Sequence, residues 1–301
     1  MKLLIMKDRR SRFVAAALLV CSLLLAIAPA SDSRRKDAGK LPFDPAEELV
    51  YEGEFTRALL RGINVAELRF TANRTQASTT QSNNANAPQA LRFTLDAVTK
   101  GLLRKLFNLN FRQHIESTVE PASFSVLQTT KLDEQGKRKR TSEAIFDKTA
   151  GKVVWTERDP NDPNREPRVV TSPATGAVQD IASAFYYLRT QPLAPGTSFE
   201  ILISDSGQVY RIPITVSEKK TLKTVVGKVQ TLKVDAEIFG EGRLLRGKGK
   251  MSIWFTDDAR HIPVRAKINN EMGTLDITLK RITNNNVSYS GSRLSAYKQP
   301  E

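Results

Sequence analysis

One cysteine, Cys21, stands in the whole 301-residue chain, which excludes a disulfide framework and a cysteine-based zinc site. Histidine is nearly as scarce. His114 and His261 leave too little for a histidine metal centre or a nucleophilic triad. Acidic side chains fall short of basic ones, 32 against 46, and the formal charge of +14 suits an anionic partner. Past the first 30 residues no apolar run approaches the roughly 20 residues of a membrane span. No catalysis and no cofactor are expected from this stock. What is present is ordinary globular material, 40% hydrophobic and 26% charged, long enough to bury a core as one domain or two small ones.

The N-terminus carries an address. Lys2, Lys7, Arg9, Arg10 and Arg12 outnumber Asp8, an apolar run follows from Phe13 to Ile27, and Ala28-Pro29-Ala30 ends it. This is the layout of a secretory signal peptide, residues 1–30, cleaved after Ala30 to give a periplasmic or envelope-associated protein. Leu18-Leu19-Val20 before Cys21 lacks the small residue that a lipoprotein signal wants. Arg9-Arg10 matches a twin-arginine signal in part, with Arg12 where that motif has phenylalanine, so the export route stays open. Cleavage removes the cysteine and leaves +10 of the charge.

Residues 31–42 are polar and read as a flexible leader, and residues 43–283 as a single β domain. Within it, residues 72–89 hold almost no large apolar side chain and read as a loop insert, and residues 284–301 read as a loose tail. Strand-like alternation recurs at Leu49–Phe55, Val65–Phe70, Leu91–Val98, Phe107–Val119, Phe124–Leu132, Thr141–Phe146 and Val153–Glu157. Arg61-Gly62 and Glu134-Gln135-Gly136 mark turns, and Asp159–Arg168 is rich in proline. Strands return at Ser198–Ser204, Val209–Val216, Val225–Ala236, Lys250–Thr256, Val264–Asn269 and Thr274–Arg281. One segment departs from this rhythm: Ile181, Ala184, Phe185 and Leu188 fall at helical spacing, capped by Asp180 and stopped by Pro192. The expected fold is mainly β, with antiparallel rolled sheets or a partly open barrel and one covering amphipathic helix near residues 178–190.

Three stretches carry a resemblance. Gln179–Arg189 (QDIASAFYYLR), followed by Pro192-Leu193-Ala194-Pro195-Gly196, resembles the central signature of DUF3108, a bacterial domain family of unknown function. Val226–Val234, with Gly227, resembles its G-x-[YF]-x-T-x-K-V strand, Val229 replacing the usual aromatic residue. Trp254 with Asp257-Asp258, then Pro263-Val264, resembles its W-x-[ST]-D-D-x-x-x-x-P-V stretch. The resemblance implies an exported envelope protein, mostly β, with no catalytic residues to carry over. It marks Asp180, Phe185, Leu188, Gly196, Gly227, Trp254, Asp257, Asp258 and Pro263 as structural positions. Asp180 and Arg189 both belong to the signature. Asp180 reads as a cap, and Arg189 as an ion-pair or carbonyl partner that holds the helix or as a ligand anchor.

Other candidates are weak. Gly242–Lys248 formally matches a phosphate loop, but Gly249 and a strand follow instead of Ser or Thr and a helix, so no nucleotide is expected. Asp257-Asp258 reads as a turn pair before it reads as a calcium site. Ser183 lacks a nucleophile elbow. The basic clusters Lys137–Arg140 and Arg243–Lys250 lack interleaved aromatics, which argues against nucleic acid and for solvated turns, or contact with a lipid or anionic envelope polymer. Two functions stay open. One is a lipid or amphipathic ligand held in a barrel-like cavity, with Arg189, Arg243 and Arg246 at its mouth. The other is an assembly factor that docks through sheet edges and basic loops.

Overall fold

The computed structural model describes residues 41–58, 60–76, 89–100, 110–284 and 287–290. The signal segment, most of the leader, residues 77–88 of the polar insert, Phe107–Leu109 and residues 291–301 of the tail lie outside them. The alternating stretches become strands β1 (Glu48–Arg57), β2 (Leu60–Gln76), β3 (Gln89–Thr99), β4 (Phe111–Glu120), β5 (Ser125–Gln135), β6 (Arg138–Asp147), β7 (Lys152–Arg158) and β8 (Arg168–Pro173). The two-residue strand β9 (Val178–Gln179) leads into helix α1 (Ile181–Tyr187) and a 3₁₀ turn, Leu188–Thr190. Strands β10 (Ser198–Asp205), β11 (Gln208–Thr224), β12 (Gly227–Ala236) and β13 (Gly249–Thr256) follow. The chain ends in β14 (Pro263–Asn270), β15 (Gly273–Asn284) and β16 (Val287–Ser290).

Neighbouring strands pair in the order β8-β7-β6-β5-β4-β3-β2-β1-β15-β14-β13-β12-β11-β10-β9. Every pairing is antiparallel except β9 with β10, and β16 adds to the far end of β15. Antiparallel pairs of strands consecutive in sequence account for all but two junctions, the return of β15 beside β1 and the parallel β9–β10 pair, which the helix connects. Period-two burial gives the sheet a dry face: Leu91, Phe93 and Leu95 of β3, Ile115 and Val119 of β4, and Ile212, Ile214 and Val216 of β11. Bulges at Val50/Tyr51, Thr118/Val119, Val216/Glu218 and Trp254/Phe255 bend the strands that carry them.

The two ends of the sheet approach without pairing. Lys131 of β5 reaches Asp205 of β10 at 3.4 Å. Gly207, in the β10–β11 turn at φ +78°, lies so close to Val170 of β8 that a Cβ there would stand 2.7 Å from the valine. No ladder joins β8 to β9, so the roll stays open.

Helix α1 departs from the expected covering role. Ala182, Ser183, Ala184 and Tyr186 are buried, Ile181, Phe185 and Tyr187 are half-buried, and Leu188 and Arg189 beyond them are buried too. A helix without a solvent face is enclosed rather than laid over a surface. Its two sides serve two cores. Tyr186 stacks on Phe93 (centroids 4.2 Å apart) and meets Phe43 edge-on, within a cluster that includes Phe124, Leu91 and Trp155. Ala184 and Leu188 join an aliphatic core of Ile201, Ile203, Ile212, Ile214, Leu232 and Val234. Phe185, expected in the core, is half-buried and stacks on Phe70 at 3.9 Å.

Other departures have local causes. The chain reverses between Arg57 and Leu60, which pair, so Gly62 lies inside β2 with φ +60° rather than in the turn. The next predicted turn slips past Gln135, which still pairs with Arg138. β8 starts at the end of the proline-rich stretch, where Val169-Val170 was too short a signal. The polar insert contributes residues 72–76 to β2, and the tail contributes β16, whose backbone pairs with Arg281–Asn284.

Candidate functional site

The chain segment that breaks the β rhythm also carries the densest buried polar chemistry. At its start, Asp180 has extended backbone and caps α1 through a reciprocal box: its carboxylate accepts from the Ser183 amide at 2.8 Å, and the Ser183 hydroxyl accepts from the Asp180 amide at 2.9 Å. The same buried carboxylate accepts hydrogen bonds from the Ser117 hydroxyl at 2.5 and 2.7 Å and from that of Thr129. Hydroxyls of β4 and β5 thus replace the water this charge would have had. Gln179, fully buried, donates to Phe124 O at 2.6 Å.

At the other end Arg189 turns inward. Its side chain is 0% exposed and forks onto Glu47, whose side chain is 4% exposed. Its Nη2 donates to Pro42 O at 3.0 Å and its Nε to Arg260 O at 3.0 Å. The guanidinium carbon lies 5.4 Å from the Phe43 ring and 5.6 Å from that of Tyr186. One side chain therefore ties the helix to the entry segment before β1 and to the β13–β14 loop, where His261 Nδ1 meets Arg189 O at 3.0 Å. This geometry makes Arg189 a pin for the helix, its nitrogens engaged by Glu47 and by the carbonyls of Pro42 and Arg260. Glu47 was missed in the sequence. It sits 142 residues away, in a Pro-flanked segment that shows no periodicity.

The other arginines lie elsewhere. Arg243, in the loop after β12, donates to Arg211 O at 2.6 Å and pairs with Glu237 at 3.4 Å. Arg246 is exposed in the same loop, which a bridge between Phe239 and Leu245 closes before β13 begins. Arg189 and Arg243 share no hydrogen-bond or ion-pair partner among the described residues.

Structural positions fall into turns and anchors. Gly196 takes φ +84° and donates its amide to Val216 O at 2.8 Å. Asp258 accepts from Thr256 Oγ1 at 2.8 Å and from the Arg260 amide and guanidinium, while Asp257 pairs with Lys219 at 2.6 Å. Burial raises the Asp258 carboxyl, but the bonds from Arg260 and Thr256 outweigh it and hold it below its usual value. Pro263 O accepts the Tyr51 hydroxyl at 2.7 Å, and Trp254 lies beneath the Arg265 guanidinium at 5.5 Å. Burial pushes the hydroxyls of Tyr51 and Tyr186 well above their usual pKa. His114 meets Asp96 at 2.8 Å. Among the described residues no three His, Cys, Asp or Glu side chains gather as a metal set, and no helix is long and apolar enough to cross a membrane.

Rings of Phe43, Phe93, Phe124 and Tyr186 pack together between helix α1 and the sheet. The void that touches Asp180 and Ile181 measures about 30 Å³, room for a single water. A larger cleft of about 640 Å³ lies between the tip of the β11–β12 arm and strands β1, β14 and β15. Leu222, Val225, Val264 and Leu279 supply its apolar lining, with Lys223, Arg265, Lys280 and Glu52 beside them. Val264 and Leu279 are buried members of the aromatic cluster and Leu222 and Val225 pack against it, so the cleft opens at the rim of that core, with Glu52 and Lys280 on the outer side of the sheet. Lys280 pairs with Glu52 at 3.4 Å and Arg265 with Asp276, and among the described residues Lys223 has no acidic partner.

A solved structure shares this architecture. A β-barrel-like protein of the domain of unknown function DUF1849 from Brucella abortus is similar over 80% of this chain and 98% of its own, with a TM-score of 0.50 and 11% identity. At that identity the likeness is one of fold. No curated protein matches the chain. The family model of DUF3108, a protein of unknown function, matches residues 56–280 and spans both the enclosed helix and its Arg189 anchor. The chain belongs to the DUF3108 family.

Proposed function

We propose that the protein is an exported, non-enzymatic envelope protein that binds an amphipathic anion, a lipid or fatty acid, in the cleft between the β11–β12 arm and strands β1, β14 and β15. The N-terminal layout of charge, apolar run and Ala28-Pro29-Ala30 supports export. The observation that carries the reading is the cleft itself: about 640 Å³, within the range of small-ligand sites, with apolar walls and an unpaired lysine beside them. Stacked rings occupy the space between helix and sheet, so the ligand is placed here, under the arm at the rim of the core. Lys223 meets the head group while Leu222 and Val225 meet the tail.

A dansyl-labelled undecanoic acid tests this. Its fluorescence should rise on micromolar protein, and Val225→Glu, which sets a carboxylate on the apolar wall, should abolish the rise while the far-ultraviolet circular dichroism of the β fold is retained. No rise with the unaltered chain sinks the reading. In that case the assembly function takes its place, favoured by the unpaired edge of β8, where Val169 is 59% exposed.

A further inference from the structure

The β11–β12 hairpin outruns the sheet. Pairing of β12 with β13 ends at Thr231–Thr256, whereas β11 and β12 continue to pair as far as Thr224–Gly227. The intervening residues 219–230 (KKTLKTVVGKVQ) carry four lysines and no acid. Strand alternation sorts them. Leu222 and Val229, paired and half-buried, hold one face of the arm toward the molecule. Lys219, Thr221 and Lys223 alternate onto the other face, with Gln230 opposite Thr221 and Lys228 opposite Lys223. All five are exposed.

Lys223 and Lys228 are thus direct cross-strand neighbours, a placement that destabilises a β pair through like-charge repulsion. Among the described residues neither has an acidic partner. Lys219 is held by Asp257 at 2.6 Å, and Glu52, which shares the cleft with Lys223, is held by Lys280. A two-stranded ribbon that keeps this repulsion at its tip gains most when an anion approaches. The shape of the patch selects the kind of anion. It is a flat ribbon face, not a concavity, and its cations are lysines, which act as point charges on flexible stems and lack the fork that grips a single phosphate.

We infer that this face of the β11–β12 arm is a docking surface for an anionic lipid bilayer. The lysines lie against the headgroup plane, and each contributes the attraction of one cation near a negatively charged surface. The inference shares Lys223 with the cleft reading and is therefore tested at Lys228, which does not line the cleft.

Co-sedimentation of the exported chain with vesicles tests it. Vesicles with equal parts phosphatidylglycerol and phosphatidylcholine should carry the protein down in low salt and release it in high salt. Vesicles of phosphatidylcholine alone should not carry it. Lys228→Gln should weaken the anionic binding about fivefold, the worth of one surface lysine. Lys228→Glu should weaken it further and at the same time raise the melting temperature, since it sets an opposite charge across from Lys223. That split between binding and stability is one a merely structural lysine cannot give. Val225→Glu should keep vesicle binding while it removes probe binding in the cleft, so the two proposals fail independently. Equal sedimentation of Lys228→Glu and the unaltered chain, equal binding to neutral vesicles, or no binding to anionic ones overturns the inference.

Discussion

Helix α1 is held by a buried charge at each end, and the two charges are handled differently. Asp180 has no ion-pair partner among the described residues: the hydroxyls of Ser117 and Thr129 and the Ser183 amide surround it. Arg189 is a cation with its own anion, Glu47, plus the carbonyls of Pro42 and Arg260. The hydroxyl-lined end is a local device that starts a short helix in a β protein. The ion-paired end is a long-range clamp that joins the entry segment, the helix and the β13–β14 loop. Removal of a hydroxyl-solvated anion leaves neutral groups behind. Removal of one member of an ion pair strands a charge in a dry interior.

The largest effect is therefore expected at the clamp. Arg189→Leu should cost about 3–5 kcal/mol, because Glu47 stays buried without a partner. The double variant Arg189→Leu with Glu47→Leu should recover much of that loss, and a denaturant melt of all three chains measures it. A loss below about 1 kcal/mol for the single variant would mean that water reaches Glu47.

At the other end Asp180→Ala should cost about 1–3 kcal/mol, a cap plus charge-assisted bonds. Asp180→Asn should cost less, since asparagine caps as well, and chemical denaturation separates the two. An Asp180→Ala loss equal to that at Arg189 would erase the distinction between the ends.

The clamp also predicts an alkaline limit. Tyr51 and Tyr186, both close enough to Arg189 and Glu47 to feel their charges, have pKa values raised by burial above the ordinary 10.0. Groups with raised folded pKa values leave stability intact below the unfolded value. Stability should then fall as pH climbs from about 10 through the folded values, by up to about 1.4 kcal/mol per pH unit for each tyrosine. Melting temperatures across that interval show the slope, and Tyr51→Phe should reduce it.

The smallest effect has the opposite sign. The Tyr186 hydroxyl is buried with no hydrogen-bond partner among the described residues. Tyr186→Phe removes an unsatisfied donor and keeps the ring stack on Phe93, so stability should stay level or rise by up to about 1 kcal/mol. A loss beyond about 1 kcal/mol would show that this hydroxyl has a partner.

Much of the fold was legible in the sequence, because alternation is a local signal. Leu91, Phe93 and Leu95, or Ile212, Ile214 and Val216, announce a strand with one dry face without reference to anything distant. Asp180 and Pro192 bounded the helix by rules that act within a few residues. What stayed hidden is non-local. The sheet's curl encloses α1, and that turned Tyr186 inward and left Phe185 half-buried, against a reading that assumed one wet side. Nothing near Arg189 names Glu47 as its partner. Of the three arginines expected at a cavity mouth, Arg189 and Arg243 are engaged by different protein groups, which no local pattern announces. The cleft escaped notice for the same reason, since it joins the arm at residues 222–225 to strands that begin some 40 residues later and to β1 far earlier.

The central claim is that helix α1 and its aromatic rings occupy the middle of the roll, so that an amphiphile binds in the cleft beneath the β11–β12 arm and not among those rings. A nitroxide-labelled fatty acid added to isotope-labelled protein tests this directly by paramagnetic broadening of backbone amides. Broadening confined to Leu222–Val225, Val264-Arg265 and Thr278–Lys280, with Phe93, Phe124 and Tyr186 left sharp, is the expected result. Broadening centred on Phe93, Phe124 and Tyr186 would place the ligand inside the roll and contradict the account.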